Sequence, residues 1–131
     1  MPSYSIGQAA GLLGVSSETV RRWADGGRLR MDRDGTGNRA IDGVSLAAFA
    51  AERAAGMHPV PQGVFTSVRN SFAGIVTAVT IDDVAAQVEI QSGPHRLVSL
   101  VTRESVEELG IEVGATVTAR VKSTHVHVDL P

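Results

Sequence analysis

The sequence predicts an α+β protein of two small domains, a mainly helical one followed by a small β-barrel with one short helix. Apolar residues recur with helical spacing in the first half and at every second position in the second half. A proline-containing stretch over residues 58–64 separates the two patterns and favours an extended linker. We therefore expect domains at residues 1–57 and 65–131.

Composition excludes several classes of protein. The 131 residues are 43% hydrophobic and 20% charged, with a net charge of −2, which is ordinary for a folded chain. The absence of cysteine excludes disulfides, thiolate zinc sites and a cysteine nucleophile. Because neither a signal peptide nor a membrane-spanning apolar run is evident, we expect a cytoplasmic protein with no membrane partner. No catalytic triad, acid pair or phosphate loop is apparent, so we expect no enzyme activity.

Two short helices joined by a glycine turn are predicted near the N-terminus. Ser5 and Gln8 have the spacing of a capping box ahead of the first helix, which Gly14 ends. Either Ser16 or Ser17 caps the second helix. This arrangement is typical of a helix-turn-helix.

A hairpin and a third helix complete the predicted first domain. The segment over residues 32–39 is rich in Gly, Asp and Asn, which suits a hairpin tip. Asp42 is placed to cap a third helix that carries the apolar residues Val44, Leu46, Ala47 and Phe49. The first domain is therefore expected to be mainly helical with one small hairpin.

The second half alternates apolar and polar residues, the pattern of half-buried strands in a small barrel. Strands of this kind are predicted at residues 84–91, 116–122 and 124–129. One short helix interrupts them: Thr102 can cap it, Gly110 can end it, and Val106 and Leu109 are expected to face inward.

The second predicted helix carries polar residues opposite its apolar side. These candidate DNA-binding residues are Ser17, Thr19, Arg21 and Arg22. Arginine can bridge guanine acceptors or pair with phosphate, and hydroxyls can hold the DNA backbone, so the helix is suited to the major groove of double-stranded DNA. A helical interaction domain with a solvated arginine face remains the alternative.

The first half resembles the excisionase-like branch of the MerR family of winged helix-turn-helix domains. The resemblance is carried by Tyr4 to Ala10, Leu13 to Ser16, Thr19 to Trp23, and Gly26, Arg28 and Leu29. It implies that the second helix and the wing contact DNA, through Arg21, Arg22 and, in the wing, Arg39. The wing reads Gly37-Asn38-Arg39-Ala40 and lacks one arginine of the usual family pattern.

Polar residues of the second half gather where predicted elements begin or end. They are Ser67, Arg69 and Asn70 before the first strand, Thr102 and Ser105 at the short helix, and Lys122, Ser123 and Thr124 at a strand break. Helix-terminal amides and hydroxyls beside Arg or Lys suit a small oxyanion. The same residue types cap helices and turns in most proteins, so a purely structural role remains open.

The second half also resembles a known family, the molybdate- and tungstate-binding Mop domain of the TOBE group. The matching segments are residues 67–76, 101–114 and 121–126. The resemblance implies an OB-like five-stranded β-barrel that binds molybdate or tungstate between barrels, through the eight polar residues named above. It implies no redox cofactor. A single such unit in the chain implies a homo-oligomer.

Histidines provide a further possible site. His125 and His127 would project from one face of a strand, and His95 lies on another strand. A transition metal can use such a pair. Because no carboxylate partners stand at clear spacing, we expect no metal site here.

Together these features predict a molybdate- or tungstate-binding, DNA-binding transcriptional regulator of molybdenum handling. One alternative is an oxyanion storage or buffering protein whose helical domain mediates assembly. Another is a DNA architectural or excision factor whose barrel only mediates oligomerisation.

Overall fold

The computed structural model describes residues 2–54 and 65–131 of the chain. The chain divides into two compact units, Met1–Met57 and His58–Pro131, each with its own buried core. The α+β class and the two-part organisation predicted from the sequence are confirmed. The predicted linker over residues 58–64 lies outside the described residues. None of the described helices is long and apolar enough to cross a membrane.

The first unit combines three helices with a small antiparallel sheet. Its elements are β1 (Ser3–Tyr4), α1 (Ile6–Leu13), α2 (Ser17–Asp25), β2 (Met31–Arg33), β3 (Arg39–Asp42) and α3 (Gly43–Ala54). Strand β3 lies in the middle of the sheet, between β1 and β2. The predicted hairpin is confirmed, since β2 and β3 pair antiparallel from Met31 opposite Ile41 to Arg33 opposite Arg39.

Side-chain caps define the helix ends of this unit. The Ser5 hydroxyl accepts the amide of Gln8 at 3.1 Å, and the Gln8 side chain accepts the amide of Ser5 at 2.9 Å. Gly14 ends α1 in the left-handed conformation at φ 69°. Of the two serines considered for α2, Ser16 is the cap, because its hydroxyl accepts the amide of Thr19 at 3.2 Å. The predicted capping box and glycine end are therefore confirmed.

The core of the first unit lies between its helices and the sheet. Three residues of this core are fully buried: Val20 of α2, Leu29 between α2 and β2, and Ile41 of β3. The rings of Trp23 and Phe49 pack beside them, 4.9 Å apart and tilted by 52°. Helix α2 is thereby held with its apolar side inward.

A carboxylate cap joins β3 to α3. The Asp42 carboxylate accepts the amide of Ser45 at 2.9 Å, as the sequence predicts. Of the four apolar residues predicted on α3, Leu46 and Phe49 are buried, whereas Val44 is 63% exposed and Ala47 is also exposed.

The second unit is a curled antiparallel sheet with one short helix. Its elements are β4 (Asn70–Ile81), β5 (Ala85–Ser92), β6 (His95–Thr102), α4 (Arg103–Leu109), β7 (Thr116–Val121) and a 3₁₀ turn (Ser123–His125). The strand order is β6-β5-β4-β7. The first half of β4 pairs with β7 and the second half with β5, so β6 and β7 form the outer edges.

The fifth predicted strand is absent. Among the described residues this sheet holds four strands, so the five-stranded barrel is not confirmed, and the strand predicted over residues 124–129 is wrong. The amides of His125 and Val126 bond back to the carbonyls of Lys122 and Ser123, at 2.9 and 3.3 Å, and form a turn instead. Alternating apolar residues indicate which side chains can face the core of a sheet. A strand also needs a neighbouring strand to pair with, which the alternation does not predict.

Helix α4 forms where the sequence predicts it. The Thr102 hydroxyl accepts the amide of Ser105 at 3.0 Å, and Gly110 ends the helix at φ 64°. Val106 is buried as expected, but the inward orientation predicted for Leu109 is wrong, because 74% of this residue is exposed. After the Gly110 turn, Ile111 packs against the core in its place.

A glycine allows β4 to pass very close to β5. A Cβ atom at Gly74 would lie 2.5 Å from the carbonyl oxygen of Gln91 and 2.8 Å from Cγ2 of Ile90. Next to this point the Ser92 hydroxyl, which is buried, donates to the carbonyl of Ala73 at 2.7 Å. The register of β4 with β5 then shifts after Val76. The close approach and the irregular register account for the curl of the sheet.

We predict that Gly74→Ala lowers the free energy of unfolding of the second unit by about 1–3 kcal/mol, because the strands must separate to admit the methyl group. Gly11→Ala is the control, since a Cβ there meets open space within a helix. It should stabilise the first unit by about 0.5–1 kcal/mol.

Denaturant unfolding followed by far-UV circular dichroism measures both variants. Fluorescence of Trp23, the single tryptophan of the chain, reports the first unit separately. Unchanged stability of Gly74→Ala would contradict the account of the curl.

Candidate DNA-binding face and oxyanion groups

Two arginines of α2 are available for a ligand. Arg21 and Arg22 are exposed, and neither forms an ion pair or side-chain hydrogen bond within residues 2–54 and 65–131. The outward orientation predicted for Ser17 and Thr19 is only partly met, because both are half-buried. Thr19 also shares a hydrogen bond of 2.9 Å with Ser16 at the helix cap. The positive charge of this helix that has no partner among the described residues therefore lies on its two arginines.

Arg39, the third predicted DNA-binding arginine, is engaged within the protein. Its Nη1 atom donates to Oδ1 of Asp25 at 3.2 Å, and 40% of its side chain is exposed. The ion pair joins β3 to the end of α2. An exposed pair of this kind contributes at most about 1 kcal/mol, so a DNA phosphate has to compete with Asp25 for this guanidinium.

The hairpin tip between β2 and β3 carries a stable negative charge. Oδ1 of Asp34 accepts the hydroxyl and the amide of Thr36, at 2.6 and 2.9 Å, and the amide of Asn38 at 3.0 Å. These hydrogen bonds, first of all that from the Thr36 hydroxyl, hold the pKa of Asp34 below its ordinary value of 3.8. Beside it, Arg33 donates to the carbonyl of Gly37 at 2.8 Å. The tip is therefore less suited to phosphate than its arginine content indicates.

Two further arginines stabilise the core, a role that sequence reasoning missed. The guanidinium of Arg28 lies over the rings of Trp23 and Phe49, 5.7 and 5.2 Å from their centroids. That of Arg53 lies 5.5 Å from the centroid of the Trp23 ring and donates to the carbonyl of Leu13 at 3.1 Å. Because Arg53 and Trp23 are far apart in the sequence, no local spacing indicates this contact.

Six of the eight predicted oxyanion residues lie at the end of the sheet where β4 begins and β7 ends. Asn70 begins β4 opposite Val121, the last residue of β7, and its side-chain amide donates to the carbonyl of Val121 at 3.1 Å. We call the residues around this pair the β4–β7 group: Ser67, Arg69, Asn70, Lys122, Ser123 and Thr124. Apart from half-buried Asn70, its members are exposed. The group offers hydroxyls and an amide beside two cations.

The remaining two residues lie at the other end of β4. Thr102 and Ser105 share a hydrogen bond of 2.7 Å between their hydroxyls at the start of α4, and we call them the α4 group. Thr102 pairs with Ala85, at the end of the sheet where β4 finishes. Strand β4 has 12 residues, and each residue lengthens a strand by about 3.3 Å. Even though the strand is curled, the two groups at its ends are therefore separated by far more than the width of a tetrahedral oxyanion.

The histidines form no metal site among the described residues. No group of three potential metal-ligating side chains is found there. His125 lies in the 3₁₀ turn, so the predicted strand face shared with His127 does not exist. His95, His125 and His127 are all exposed.

The fold defines a helix-turn-helix unit and a small curled β unit with polar and basic side chains at the ends of its strands. Residues 3–54 match the model of a helix-turn-helix domain, and residues 66–128 match the model of the TOBE domain. The chain belongs to the TOBE domain family and carries a helix-turn-helix domain at its N-terminal end. Both resemblances expected from the sequence are confirmed at this level.

Similar proteins match the second unit. The chain is 40% identical over 63 residues to molybdenum-pterin-binding protein 2 from Clostridium pasteurianum, covering 47% of this chain and 93% of that protein. It is 39% identical over 62 residues to molybdenum transport protein ModE from Azotobacter vinelandii, covering 47% of this chain and 23% of that protein. A solved molybdate binding protein from Sporomusa ovata is 30% identical, with a TM-score of 0.50, over 51% of this chain and 100% of that one.

We predict that the hairpin tip loosens in acid. Because the pKa of folded Asp34 is lowered, its contribution to stability is complete above its unfolded pKa and is lost as the pH falls through the folded pKa. The amide resonances of Thr36 and Asn38 should therefore titrate with a midpoint below 3.8, and Asp34→Asn should abolish the transition. A midpoint at or above that value would contradict the hydrogen-bonded tip.

Proposed function

We propose that this protein binds molybdate or tungstate through its TOBE unit and DNA through its helix-turn-helix, as a cytoplasmic transcriptional regulator of molybdenum handling. The observation that carries the proposal is the presence of both domains in one chain. Relatives of the TOBE unit are named for molybdenum-pterin binding and molybdenum transport. The proposed activity is binding and regulation, with no reaction catalysed.

The oxyanion is proposed to bind between barrels of different chains. Within one chain the β4–β7 group and the α4 group lie at opposite ends of β4, so one small ion contacts both only if a second copy supplies one of them. The β4–β7 group brings the cations Arg69 and Lys122, and the α4 group brings the hydroxyls of Thr102 and Ser105. Charged and neutral donors together suit a small dianion. This arrangement supports a homo-oligomer.

Binding of an anion at this site must depend on hydrogen-bond donors that lie close to the ion. Residues 65–131 carry more acidic than basic side chains, so the unit as a whole repels anions at long range. Binding then depends on fixed short-range contacts. The size of the cavity between barrels would distinguish molybdate and tungstate from the smaller sulfate, which has the same charge.

The DNA-binding half of the proposal is supported by the exposed arginines of α2. Arg21 and Arg22 are free for phosphate or base edges, whereas Arg39 first has to leave Asp25. One short helix contacts few base pairs, so DNA recognition benefits from two helix-turn-helix units acting together. Assembly of the barrels would provide such a pair. If oxyanion binding favours one arrangement of barrels over another, it also changes the DNA affinity of the attached helices.

A storage or buffering protein is the second candidate, and one observation favours it. The match to molybdenum-pterin-binding protein 2 covers 93% of that protein and involves only the TOBE half of this chain. A relative of this kind therefore exists without a helix-turn-helix over the matched length. In this alternative the helical unit mediates assembly, and DNA affinity is negligible.

We predict that the full-length protein binds molybdate in isothermal titration calorimetry and that sulfate does not reproduce the binding. Lys122→Gln should weaken the affinity about tenfold or more, because it removes a charge-assisted hydrogen bond. Arg120→Gln is the matched control, since it removes the same charge two residues before Lys122, within β7. No heat with molybdate, or equal losses in both variants, would contradict the proposed site.

For the helix-turn-helix we predict that Arg21→Ala weakens binding to a labelled duplex and lowers its salt dependence by about one unit, as loss of one phosphate contact does. Arg30→Ala is the control, because Arg30 is equally exposed but pairs with Asp32 at 3.6 Å. Fluorescence anisotropy across a salt series measures both. Negligible binding of the unsubstituted protein at low salt would favour the storage candidate instead.

A further inference from the structure

The side chain of Arg53 connects all three helices of the first unit. It leaves the last turn of α3, and its Nη1 atom donates to the carbonyl of Leu13, the last residue of α1, at 3.1 Å. The same guanidinium lies 5.5 Å from the centroid of the Trp23 ring in α2. One planar cation therefore contacts both helices of the helix-turn-helix, the end of α1 and an aromatic ring of α2.

The end of α1 is suited to a cation. The last carbonyl groups of a helix have no amide partner within the helix, and this end is the negative end of the helix dipole. The amide of Val15 bonds to one such carbonyl, that of Ala10, at 3.0 Å. Helix α1 has no basic residue in its own last turn. Arg53, which follows Leu13 by 40 residues, supplies the positive charge there.

Three aromatic and cationic contacts hold the ring of Trp23. The ring of Phe49 packs against it with the centroids 4.9 Å apart, and Arg28 lies over it at 5.7 Å, in addition to Arg53. Trp23 directly follows the two exposed arginines of α2. Because the ring and these arginines belong to the same turn of one helix, a shift of the ring also moves the arginines.

We propose that Arg53 is a positioning residue for DNA recognition. It sets the angle between α1 and α2, and with it the direction in which α2 presents its exposed arginines, without contacting DNA itself. The inference rests on the proposed DNA binding and deepens it. A guanidinium suits this role better than an ammonium, because its plane can lie on the ring while one nitrogen donates to the carbonyl.

Binding to two labelled duplexes separates positioning from direct contact. One duplex is selected by the unsubstituted protein from a random pool, and the other has the same bases in scrambled order. Arg53→Gln should weaken binding to the selected duplex about tenfold, because loss of a charged hydrogen bond lets α2 leave the orientation that reaches base edges. Its affinity for the scrambled duplex, and the salt dependence of that affinity, should stay unchanged, since no phosphate contact is lost.

Two further variants control for charge. Arg30→Gln removes the same charge from the same unit, but Arg30 pairs with Asp32 at 3.6 Å instead of joining helices, so both affinities should stay unchanged. Arg53→Lys keeps the charge without the planar stacking, and it should recover less than the full affinity for the selected duplex. Full recovery would overturn the stacked arrangement.

Fluorescence of Trp23 gives a readout without DNA. Both Arg53 variants should change the emission, because the guanidinium lies over the ring, whereas Arg30→Gln should not. Circular dichroism establishes that each variant is folded under the conditions of the binding measurements. Unchanged emission in Arg53→Gln would overturn the contact on which the proposal depends.

The experiments separate this inference from the proposed function. If the unsubstituted protein and Arg53→Gln bind the selected duplex equally well, the positioning role is overturned and DNA binding stands. Equal losses on both duplexes with a lower salt dependence would make Arg53 a phosphate contact and would also overturn positioning. If the unsubstituted protein binds no duplex at low salt, the inference and the proposed DNA binding both fail.

Discussion

The shape of the second unit depends on the course of strand β4. The strand is long enough to pair with β7 along one half and with β5 along the other, and Gly74 lets it pass close to β5. The sheet therefore curls while β6 and β7 remain unpaired edges. The same length puts the two groups of candidate oxyanion residues at opposite ends of β4. In the proposed site a neighbouring copy therefore supplies the group that one copy cannot bring to the ion.

In the first unit the partners of each arginine determine what it can do. Arg28 and Arg53 stack on aromatic rings, Arg39 is paired with Asp25, and Arg21 and Arg22 are free among the described residues. The arginine-rich first half consequently offers fewer cations to DNA than its sequence indicates. The two arginines without a partner among the described residues both belong to α2, which the buried Val20 holds in place.

Local chemistry explains what could be predicted from the sequence. Caps such as Ser5, Thr102 and Asp42, and the end at Gly110, depend on neighbours within a few residues, and all were predicted correctly. The strand at residues 124–129, the burial of Leu109 and the availability of Arg39 depend on partners distant in the sequence, and each differed in the structure. The candidate oxyanion residues could be named from the sequence, but their division between the ends of β4 follows from strand pairing, which periodicity does not specify.

We propose that an oxyanion bound by the TOBE unit controls DNA binding by the helix-turn-helix. The most direct test is the DNA affinity of the full-length protein for a duplex selected from a random pool, measured with molybdate, with sulfate and with neither. The account predicts that molybdate shifts the dissociation constant about fivefold or more, in either direction, while sulfate leaves it unchanged. Equal affinities in all three conditions, for a protein that binds both molybdate and DNA, would contradict it.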